Sequence, residues 1–486
     1  MTNLGNKQPL RMENKEREIE DNKHRRSLGV HLTSRDIFLK YVFPEIQDKL
    51  WHYTWIDLYA GEGNLILPIL DSISSENRIQ FFKEHIFLFD IQPQMVRKCI
   101  LNTTNYGIPS EIADKNIQLR DNLESFPSFL KDTQFPLFHI TNPPYLYLGY
   151  IRKHKETQKY LKFFKGKNDG YQDLYQIAMI NDLRNKIENL IYIIPSNFLY
   201  GASVSNKFRK DFLKYYYIDK MTIFETKIFD YTGTNICIGF FKRKGVLKSE
   251  NLEFNGIKIK KQNKQIIKKY ILKPEYNYRA GSEFDQFLQE FNAKLPLKIN
   301  YYLLKKDVIK NKGDNEIKVI DANKYQNNEY KRFTLYVNDY LKEKVKSNII
   351  YVRTVDTGSY HGRVGLGLIR YDFKVDGIYV SGNTYRTHPI QIFFEPNITH
   401  DEQKLLKNYF NFILENFREK LDSEFLTTYK YSEAEYTRKY LGLTQVRKLI
   451  QTFPHSYNNG EFNDNLNYLI EKKEFDKILE LLKTRK

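Results

Sequence analysis

The sequence predicts an α/β fold, a doubly wound sheet of seven strands, followed by a second domain of the α+β class. From Ser27 to about Lys244, short apolar runs alternate with helix-length amphipathic segments, as in successive β-α-β units. Beyond Gly245 the segments become rich in Tyr, Asn and Lys and carry several short apolar runs. The chain has 486 residues, enough for two domains with sizeable cores.

Seven apolar runs in the first half have the length and flanking residues of strands. The amphipathic segments between them favour parallel crossovers, and therefore an open, mixed sheet of the Rossmann-like kind. The predicted strands are 55–58, 86–89, 117–119, 138–140, 190–194, 221–224 and 236–241. The sequence divides into a basic arm over 1–26, a first domain over 27–245 and a second domain over 246–486.

The composition indicates which classes of binding partner and which cellular compartment to expect. Lys and Arg number 77 against 59 Asp and Glu, and the net charge of +18 favours a polyanion such as nucleic acid. An anionic membrane surface and a merely solvated basic surface are the alternatives. Two distant cysteines, Cys99 and Cys237, predict neither a disulfide framework nor a cysteine zinc site. We expect a cytosolic protein, since the first residues lack a signal peptide's apolar core and no apolar run approaches the ~20 residues of a membrane span.

The most informative segment follows the fourth predicted strand and runs Asn142-Pro143-Pro144-Tyr145. Two prolines end the strand, so the loop lies at a strand's carboxyl end, where open α/β sheets bind ligands. Asn and proline carbonyl oxygens accept hydrogen bonds, and Tyr offers a flat face. The set suits a planar, conjugated NH2 group. An ordinary surface turn is the alternative.

The first predicted strand ends in Asp57 and continues as Tyr59-Ala60-Gly61-Glu62-Gly63, a glycine turn that opens a helix. Glycines allow backbone to approach a ligand closely, as in nucleotide sites. The third glycine of the dinucleotide fingerprint is absent, because Ile66 stands at its position. The turn therefore suits a nucleoside ligand without a pyrophosphate.

Acids end the next two predicted strands. Asp90 can accept both hydroxyls of a ribose, and Ile91 can pack on a base. Asp121, followed by Asn122, can accept from an adenine amine. For both aspartates, capping of the following helix is an equally good explanation.

The ordered set Asp57-x-Tyr59-x-Gly61-x-Gly63, Asp90, Asp121 and Asn142-Pro-Pro-Tyr145 resembles the S-adenosylmethionine-dependent N6-adenine DNA methyltransferases. Its order is that of the gamma subtype of type II restriction-modification enzymes, in which cofactor motifs precede the catalytic loop. Further similar segments are Gly29 to Ser34, with Ser34 in place of the family's Pro, and Asp173-Leu174-Tyr175, Pro195-Ser196-Asn197-Phe198-Leu199 and Phe229 with Thr234 to Ile238. The resemblance covers about residues 27–244.

The resemblance implies a class I methyltransferase fold, S-adenosylmethionine as cofactor and a flipped adenine in double-stranded DNA as substrate. It assigns catalysis to Asn142, Pro143, Pro144, Tyr145 and Phe229, with Tyr145 and Phe229 stacking on the base. It assigns the cofactor to Thr33, Asp57, Tyr59, Gly61, Gly63, Asp90, Ile91, Asp121, Asn122 and Asn142. Core packing is the alternative for Phe229. We further expect a monomeric, bacterial cytoplasmic enzyme that needs no metal and is partnered by a cognate restriction endonuclease.

The second domain is expected to recognise the DNA target. The cationic stretch from Ile257 to Lys269 suits phosphate contact, and arginine is a common reader of guanine edges. Five cations lie in or near a glycine-containing β region and are candidate DNA contacts: Arg353, Arg363, Arg370, Lys374 and Arg386.

Four other functions share some of these features. The same Asn-Pro-Pro-Tyr loop serves enzymes that methylate protein glutamine and some that methylate RNA bases. Glu316-Ile317-Lys318 and Glu329-Tyr330-Lys331 resemble nuclease Glu-x-Lys pieces, which would make the chain a methyltransferase fused to a restriction endonuclease. A DNA-binding specificity protein without catalysis is the non-enzyme alternative.

Overall fold

A computed structural model of the protein describes residues 33–226, 228–229, 235–246, 250–260, 264–356, 362–431, 437–455 and 460–484. The predicted basic arm over 1–26 and the motif residues Gly29 to Leu32 lie outside this range, as do Thr234 and 357–361 of the glycine-containing β region. The chain forms two compact units, Met1–Ala280 and Gly281–Lys486.

The first unit is built on a nine-stranded sheet with the order β3-β2-β1-β4-β5-β7-β6-β8-β9. Strands β3, β2, β1, β4 and β5 are mutually parallel, and β7 runs antiparallel between β5 and β6. The strands are β1 Thr54–Asp57, β2 Ile86–Asp90, β3 Ile117–Leu119, β4 Leu137–Thr141, β5 Asn189–Pro195, β6 Tyr216–Phe224, β7 Ile236–Arg243, β8 Leu252–Ile259 and β9 Gln265–Leu272.

Both faces of this sheet are covered, which explains why the central strands are nearly continuous apolar runs. On β5, alternate residues enter two different cores: Leu190, Tyr192 and Ile194 pack in one, and Ile191 and Ile193 in the other. The helices of the unit are α1 Arg35–Tyr41, α2 Ser75–His85, α3 Pro93–Thr104, α4 Ser110–Asn116, α5 Leu148–Ile151, α6 Leu174–Arg184, α7 Asn197–Tyr200 and α8 Asn206–Leu213.

The predicted α/β class is confirmed, and all seven predicted strands are present, but the sheet is larger by two strands than the sequence predicted. Strand β8 pairs in parallel with β6, and β9 pairs with β8. This hairpin contains most of the cationic stretch from Ile257 to Lys269, for which the sequence predicts phosphate contact but no strands. The compact unit consequently extends to Ala280, beyond the expected boundary at 245.

The second unit contains two four-stranded sheets and a two-stranded ribbon, with helices packed around a large apolar core, in agreement with the α+β prediction. The sheet orders are β10-β17-β14-β15 and β11-β16-β12-β13, and β18 pairs with β19. The strands are β10 Lys298–Tyr301, β11 Leu303–Leu304, β12 Lys312–Gln326, β13 Glu329–Val337, β14 Ile350–Arg353, β15 Gly365–Leu368, β16 Gly377–Val380, β17 Ile390–Glu395, β18 Thr427–Tyr431 and β19 Thr437–Tyr440.

The longest helix of this unit, His400–Lys420, begins at a capping box formed by Thr399 and Glu402. In chain order the helices are α9 Ser282–Glu290, α10 Lys305–Lys310, α11 Asp339–Ser347, α12 Ile369–Phe373, α13 His400–Lys420, α14 Leu443–Gln451, α15 Gly460–Glu471 and α16 Phe475–Lys483. None of the helices in the described part of the chain is both long and apolar enough to cross a membrane.

Candidate functional site

A cavity of about 880 Å³, open mouth included, lies in the first unit at the carboxyl ends of β1, β2, β3 and β4. Because these strands are parallel neighbours, the residues that follow them converge at one edge of the sheet. The predicted site residues in its lining are Thr33, Asp57, Tyr59, Gly61, Asp90, Ile91, Asp121, Asn122, Asn142 and Pro144. Gly63, Pro143, Tyr145 and Phe229 are not among the lining residues.

The glycine turn after β1 is held against the end of β2. The Gly61 N–H donates to Asp90 Oδ2 at 2.9 Å, and the Ala60 N–H donates to the Phe89 carbonyl at 2.7 Å. Gly61 lines the cavity with a φ of 54°. Gly63, with a φ of 84°, instead faces helix α3, where an added Cβ would lie 2.9 Å from Cys99 Sγ and 2.6 Å from Leu67 Cδ1. The two glycines therefore have different roles, one at the cavity and one in packing.

Replacing Gly63 with alanine is expected to destabilise the protein by roughly 2 kcal/mol more than replacing Gly107. Both glycines have a left-handed φ, 84° and 82°, so each substitution strains the backbone, but only Gly63 is crowded, and nothing lies within 4 Å of a Cβ at Gly107. Urea unfolding of the two variants measures the difference. Equal losses of stability would contradict the packing role of Gly63.

Asp90 both fixes the local backbone and lines the cavity. Its Oδ1 accepts from the Gln92 N–H at 2.8 Å, which shapes the turn before α3, and its Oδ2 accepts from Gly61. The side chain also lines the cavity, and burial raises the pKa of its carboxyl. Beside it, Ile91 is 50% exposed and presents an apolar surface to the cavity.

Asn122 brings an unsatisfied acceptor to the cavity. Its Nδ2 donates to the Leu58 carbonyl at 2.7 Å, which fixes the amide, while Oδ1 is buried and has no hydrogen-bond partner among the described residues. Asp121 lies next to it and accepts from the Leu123 N–H through Oδ1 at 3.1 Å. A buried orphan oxygen costs free energy unless a bound molecule or water donates to it. The Asn122 oxygen is therefore available to a donor, whether water or a group of a ligand.

Asp57 joins β1 to β4 beneath the cavity. It is almost fully buried, and its Oδ1 accepts from the Tyr59 N–H at 2.9 Å and from Thr141 Oγ1 at 2.5 Å. Burial raises the pKa of Asp57 to about 6, although the hydrogen bond from Thr141 favours the charged form and acts in the opposite direction.

The Asn-Pro-Pro-Tyr loop lies at the edge of the cavity, and its Asn142 and Tyr145 side chains form hydrogen bonds within the protein. Asn142 Nδ2 donates to Thr33 Oγ1 at 2.9 Å, and the Tyr145 hydroxyl lies against Asn142 Oδ1 and 2.6 Å from the Ile193 carbonyl oxygen. The Tyr145 ring packs edge-on against Tyr175, with centroids 6.4 Å apart. Tyr145 therefore holds the acceptor oxygen of Asn142 and does not present a stacking face to the cavity.

Asp173 holds the segment that follows the loop. Its Oδ1 accepts from the Leu146 N–H at 2.9 Å, and the Leu146 carbonyl accepts from the Leu174 N–H at 3.3 Å. Burial raises the pKa of the Asp173 carboxyl to about 7. Asp173 thus positions the Asn-Pro-Pro-Tyr loop from outside the cavity, and Leu174 of the same segment lines the cavity.

As the pH rises from 5 to 8, the free energy of unfolding of the Asp173→Asn variant is expected to fall less than that of the wild type. A carboxyl whose pKa is raised by folding stabilises the protein at low pH, and this contribution disappears as the pH rises through about 7. An amide cannot ionise and can still accept from Leu146. Since one pKa unit corresponds to about 1.4 kcal/mol, we expect a difference of at least ~1 kcal/mol in urea unfolding. If the free energy of unfolding changed with pH in the same way in both proteins, the raised pKa of Asp173 would be contradicted.

A buried network next to the cavity was not predicted from the sequence. His139 on β4 donates from Nδ1 to Asp182 Oδ2 at 2.6 Å, and the Tyr192 hydroxyl donates to the same oxygen at 2.5 Å. His139 Nε2 accepts from the Leu58 N–H at 3.1 Å, which places the ring proton on Nδ1. Leu58 in turn holds Asn122 through its carbonyl. The detectable sequence signal is a histidine and an aspartate inside otherwise apolar segments.

Phe229 does not line the cavity. It is 5% exposed and belongs to the apolar cluster that contains Phe224, Ile236 and Ile238. Core packing, the alternative considered from the sequence, therefore describes Phe229 in this structure.

The lining chemistry favours a cationic ligand rich in hydrogen-bond donors. The carboxylates of Asp57, Glu62, Asp90 and Asp121 line the cavity together with the orphan Asn122 oxygen, and Arg120 is the one cation among the described lining residues. Such a site disfavours a pyrophosphate. No group of three or more His, Cys, Asp or Glu residues in the described ranges could hold a metal ion.

Several solved structures are similar to this chain at low identity. The type IIL restriction-modification enzyme MmeI matches 94% of the chain and 80% of its own length, at 12% identity and a TM-score of 0.45. The type IIG restriction endonuclease BpuSI matches 92% of the chain and 61% of its own length, at 11% identity and a TM-score of 0.39. The methyltransferase subunit of a type I restriction-modification system from Streptococcus thermophilus matches 51% of the chain and 58% of its own length, at 15% identity and a TM-score of 0.33. This chain thus spans less than two thirds of the last two proteins.

A family model matches the part of the chain that contains the cavity. The matching residues, 29–229, are a little over two fifths of the chain and include all of the residues that line the cavity. No curated protein sequence matches the chain significantly. The predicted restriction-modification methyltransferase is confirmed at the level of this domain. Residues 29–229 of the chain therefore match the family of Eco57I restriction-modification methylases.

Proposed function

We propose that this protein transfers a methyl group from S-adenosylmethionine to the N6 nitrogen of adenine in double-stranded DNA. The observation that carries the proposal is the position of the Asn-Pro-Pro-Tyr loop at the edge of an acceptor-lined cavity in a restriction-modification methylase domain. The cavity suits a cationic nucleoside, and the loop suits the amine that is to be methylated.

The lining residues fit S-adenosylmethionine. Asp90 suits the two ribose hydroxyls, and Ile91 offers an apolar face for the adenine ring. Asp121 and the orphan oxygen of Asn122 suit the adenine amine. The carboxylate of Asp57 and the glycine turn suit the positively charged methionine end, and Thr33 lies next to Asn142 at that side.

Asn142 and Pro143 are assigned to the acceptor amine. An adenine amine is a poor nucleophile because its lone pair is delocalised into the ring. When Asn142 Oδ1 and the Pro143 carbonyl accept its two hydrogens, the lone pair is localised on nitrogen and the developing positive charge is stabilised. S-adenosylmethionine supplies the methyl group on a positively charged sulfur, a leaving group that requires no metal. The surplus proton of the amine leaves to water.

Stacking of Tyr145 on a target base requires a rearrangement of its side chain, because the ring now packs against Tyr175. The Tyr145 hydroxyl also contacts the Asn142 oxygen that is assigned to the adenine amine. Release of the Tyr145 hydroxyl from Asn142 frees the Asn142 oxygen and the Tyr145 ring. The ring can then stack on the target base. This stacking contributes roughly 1–3 kcal/mol and offsets part of the cost of flipping the base out of the duplex. Phe229 is the proposed second stacking residue and would have to leave its core position.

We assign the region over 246–486 to recognition of the DNA target and the whole chain to the modification side of a restriction-modification system. The net charge of +18 supports a DNA partner. A bacterial cytoplasmic location, a monomeric state and a cognate endonuclease acting on the same site complete the proposal.

Incubation with labelled S-adenosylmethionine and separate DNA, RNA and protein acceptors tests this function. We expect label in double-stranded DNA and a dissociation constant for the cofactor measurable by calorimetry. Label in RNA or in a protein glutamine would support the alternatives that share the same loop. Absence of transfer to DNA, with cofactor binding intact, would exclude the proposed acceptor.

A further inference from the structure

The second unit contains a cleft of about 1920 Å³, open mouth included, that none of the motifs explains. One wall is the β12–β13 hairpin, with Tyr325, Asn328 and Arg332. The opposite wall includes the end of β14, from Arg353 to Val355, and the loop before β17, with His388. The cleft is therefore formed by two separate sheets and lies entirely within this unit.

The charges in the cleft favour base edges over phosphates. Three arginines line it, Arg332, Arg353 and Arg438, but so do the acids Glu329 and Asp372. Carboxylates repel a phosphate backbone, whereas a mixture of donors and acceptors matches the edges of base pairs. The hairpin wall also provides an amide, that of Asn328, and the ring of Tyr325.

His388 provides an independent sign of a missing ligand. It is only 8% exposed and lines the cleft, and its Nδ1 is buried without a hydrogen-bond partner among the described residues. Burial lowers the pKa of the imidazole, so the ring is neutral at physiological pH. A neutral imidazole can donate or accept at Nδ1, which suits a base edge.

The hairpin has a form that a DNA groove can admit. Strands β12 and β13 are joined by Asn327 and Asn328, which have φ values of 50° and 64°, as in a tight two-residue turn. Two strands paired in this way form a ribbon, and the major groove accommodates a two-stranded ribbon. Arg332 pairs with Ile320, where β12 also pairs with β16, so it lies at the base of this ribbon, where it is exposed and lines the cleft.

The cations named from the sequence are mostly engaged elsewhere. Arg363 pairs with Glu415, Arg370 pairs with Asp376 at 2.9 Å, and the Arg386 guanidinium lies 4.5 Å from the Tyr440 ring centroid. Of the five cations that the sequence suggested, Arg353 alone lines the cleft.

We propose that this cleft determines sequence specificity by contacting base edges in the major groove of double-stranded DNA, with Arg332 and His388 as two of the contacting residues. A guanine edge, with two acceptors, is the best match for an arginine. This inference rests on the proposed methylation of DNA and assigns its specificity to residues of the second unit.

The test measures discrimination between DNA sequences. Sequencing of methylated DNA first identifies the wild-type site. The initial rates of methylation are then compared for a duplex with this site and for duplexes with one changed base pair. In Arg332→Ala we expect the ratio of these rates to fall roughly 10- to 100-fold for one of the changed positions, as for the loss of one arginine–base contact. Lys331→Ala, the adjacent cation outside the cleft lining, should change the ratio less than about 2-fold.

His388→Gln, whose fold is checked by thermal unfolding, should also reduce discrimination. Unchanged ratios in both Arg332→Ala and His388→Gln would overturn the inference. An equal loss of rate on all duplexes in Arg332→Ala would also overturn it, because that result indicates phosphate contact. A wild-type protein that methylates no DNA would instead refute the proposed function, and this inference with it.

Discussion

Replacing Asn142 with alanine is expected to lower the rate constant for methyl transfer by about 10³-fold, near the upper end for loss of one stabilising hydrogen bond at a reacting group. The alanine removes the acceptor oxygen that localises the amine lone pair. The cavity carboxylates are unchanged, so affinity for S-adenosylmethionine should fall only by the small contribution of Asn142 to the lining. Single-turnover methylation of DNA and calorimetry with the cofactor measure the two effects separately.

The exposed Asn105, replaced in the same way, is the control and should retain full activity. A rate constant for Asn142→Ala within a few-fold of the wild type would remove the loop from catalysis. A loss of cofactor affinity as large as the loss of rate would make Asn142 a cofactor-binding residue only.

Replacing Asp182 with alanine is expected to lower the free energy of unfolding by about 3 kcal/mol. The carboxylate is 1% exposed and accepts hydrogen bonds from both His139 and Tyr192. Its removal leaves two donors buried without an acceptor. The variant should also bind the cofactor more weakly, since His139 holds the Leu58 segment that orients Asn122.

Urea unfolding of Asp182→Ala and of Asp48→Ala, an exposed aspartate on the same unit, measures the effect on stability. The Asp48 variant should change the free energy of unfolding by less than ~0.5 kcal/mol. A loss of similar size in both variants would show that the His139–Asp182–Tyr192 network contributes little to stability.

The sequence predicted the sheet because its strands are buried on both faces, and β5 is the clearest case, with every residue from Leu190 to Ile194 apolar and buried. It missed β8 and β9 because lysines interrupt their apolar residues. Only the pairing with β6 shows that β8 continues the sheet.

The positions of the site residues were predictable because parallel strands bring their carboxyl ends to one edge, as for Asp57, Asp90 and Asn142. The orientation of Tyr145 was not, because it depends on the Ile193 carbonyl and on Tyr175. The partnership of His139 with Asp182 was also hidden, since the two residues are 43 positions apart. The cleft of the second unit was not predictable either, because its walls come from two separate sheets and no sequence motif shows how these sheets are arranged.

The central claim is that the protein methylates the N6 nitrogen of adenine in DNA. Methylated DNA from the labelled reaction, digested to nucleosides and separated by chromatography, tests it most directly. We predict that the label co-migrates with N6-methyldeoxyadenosine. Label in N4-methyldeoxycytidine or in any other nucleoside would contradict the claim.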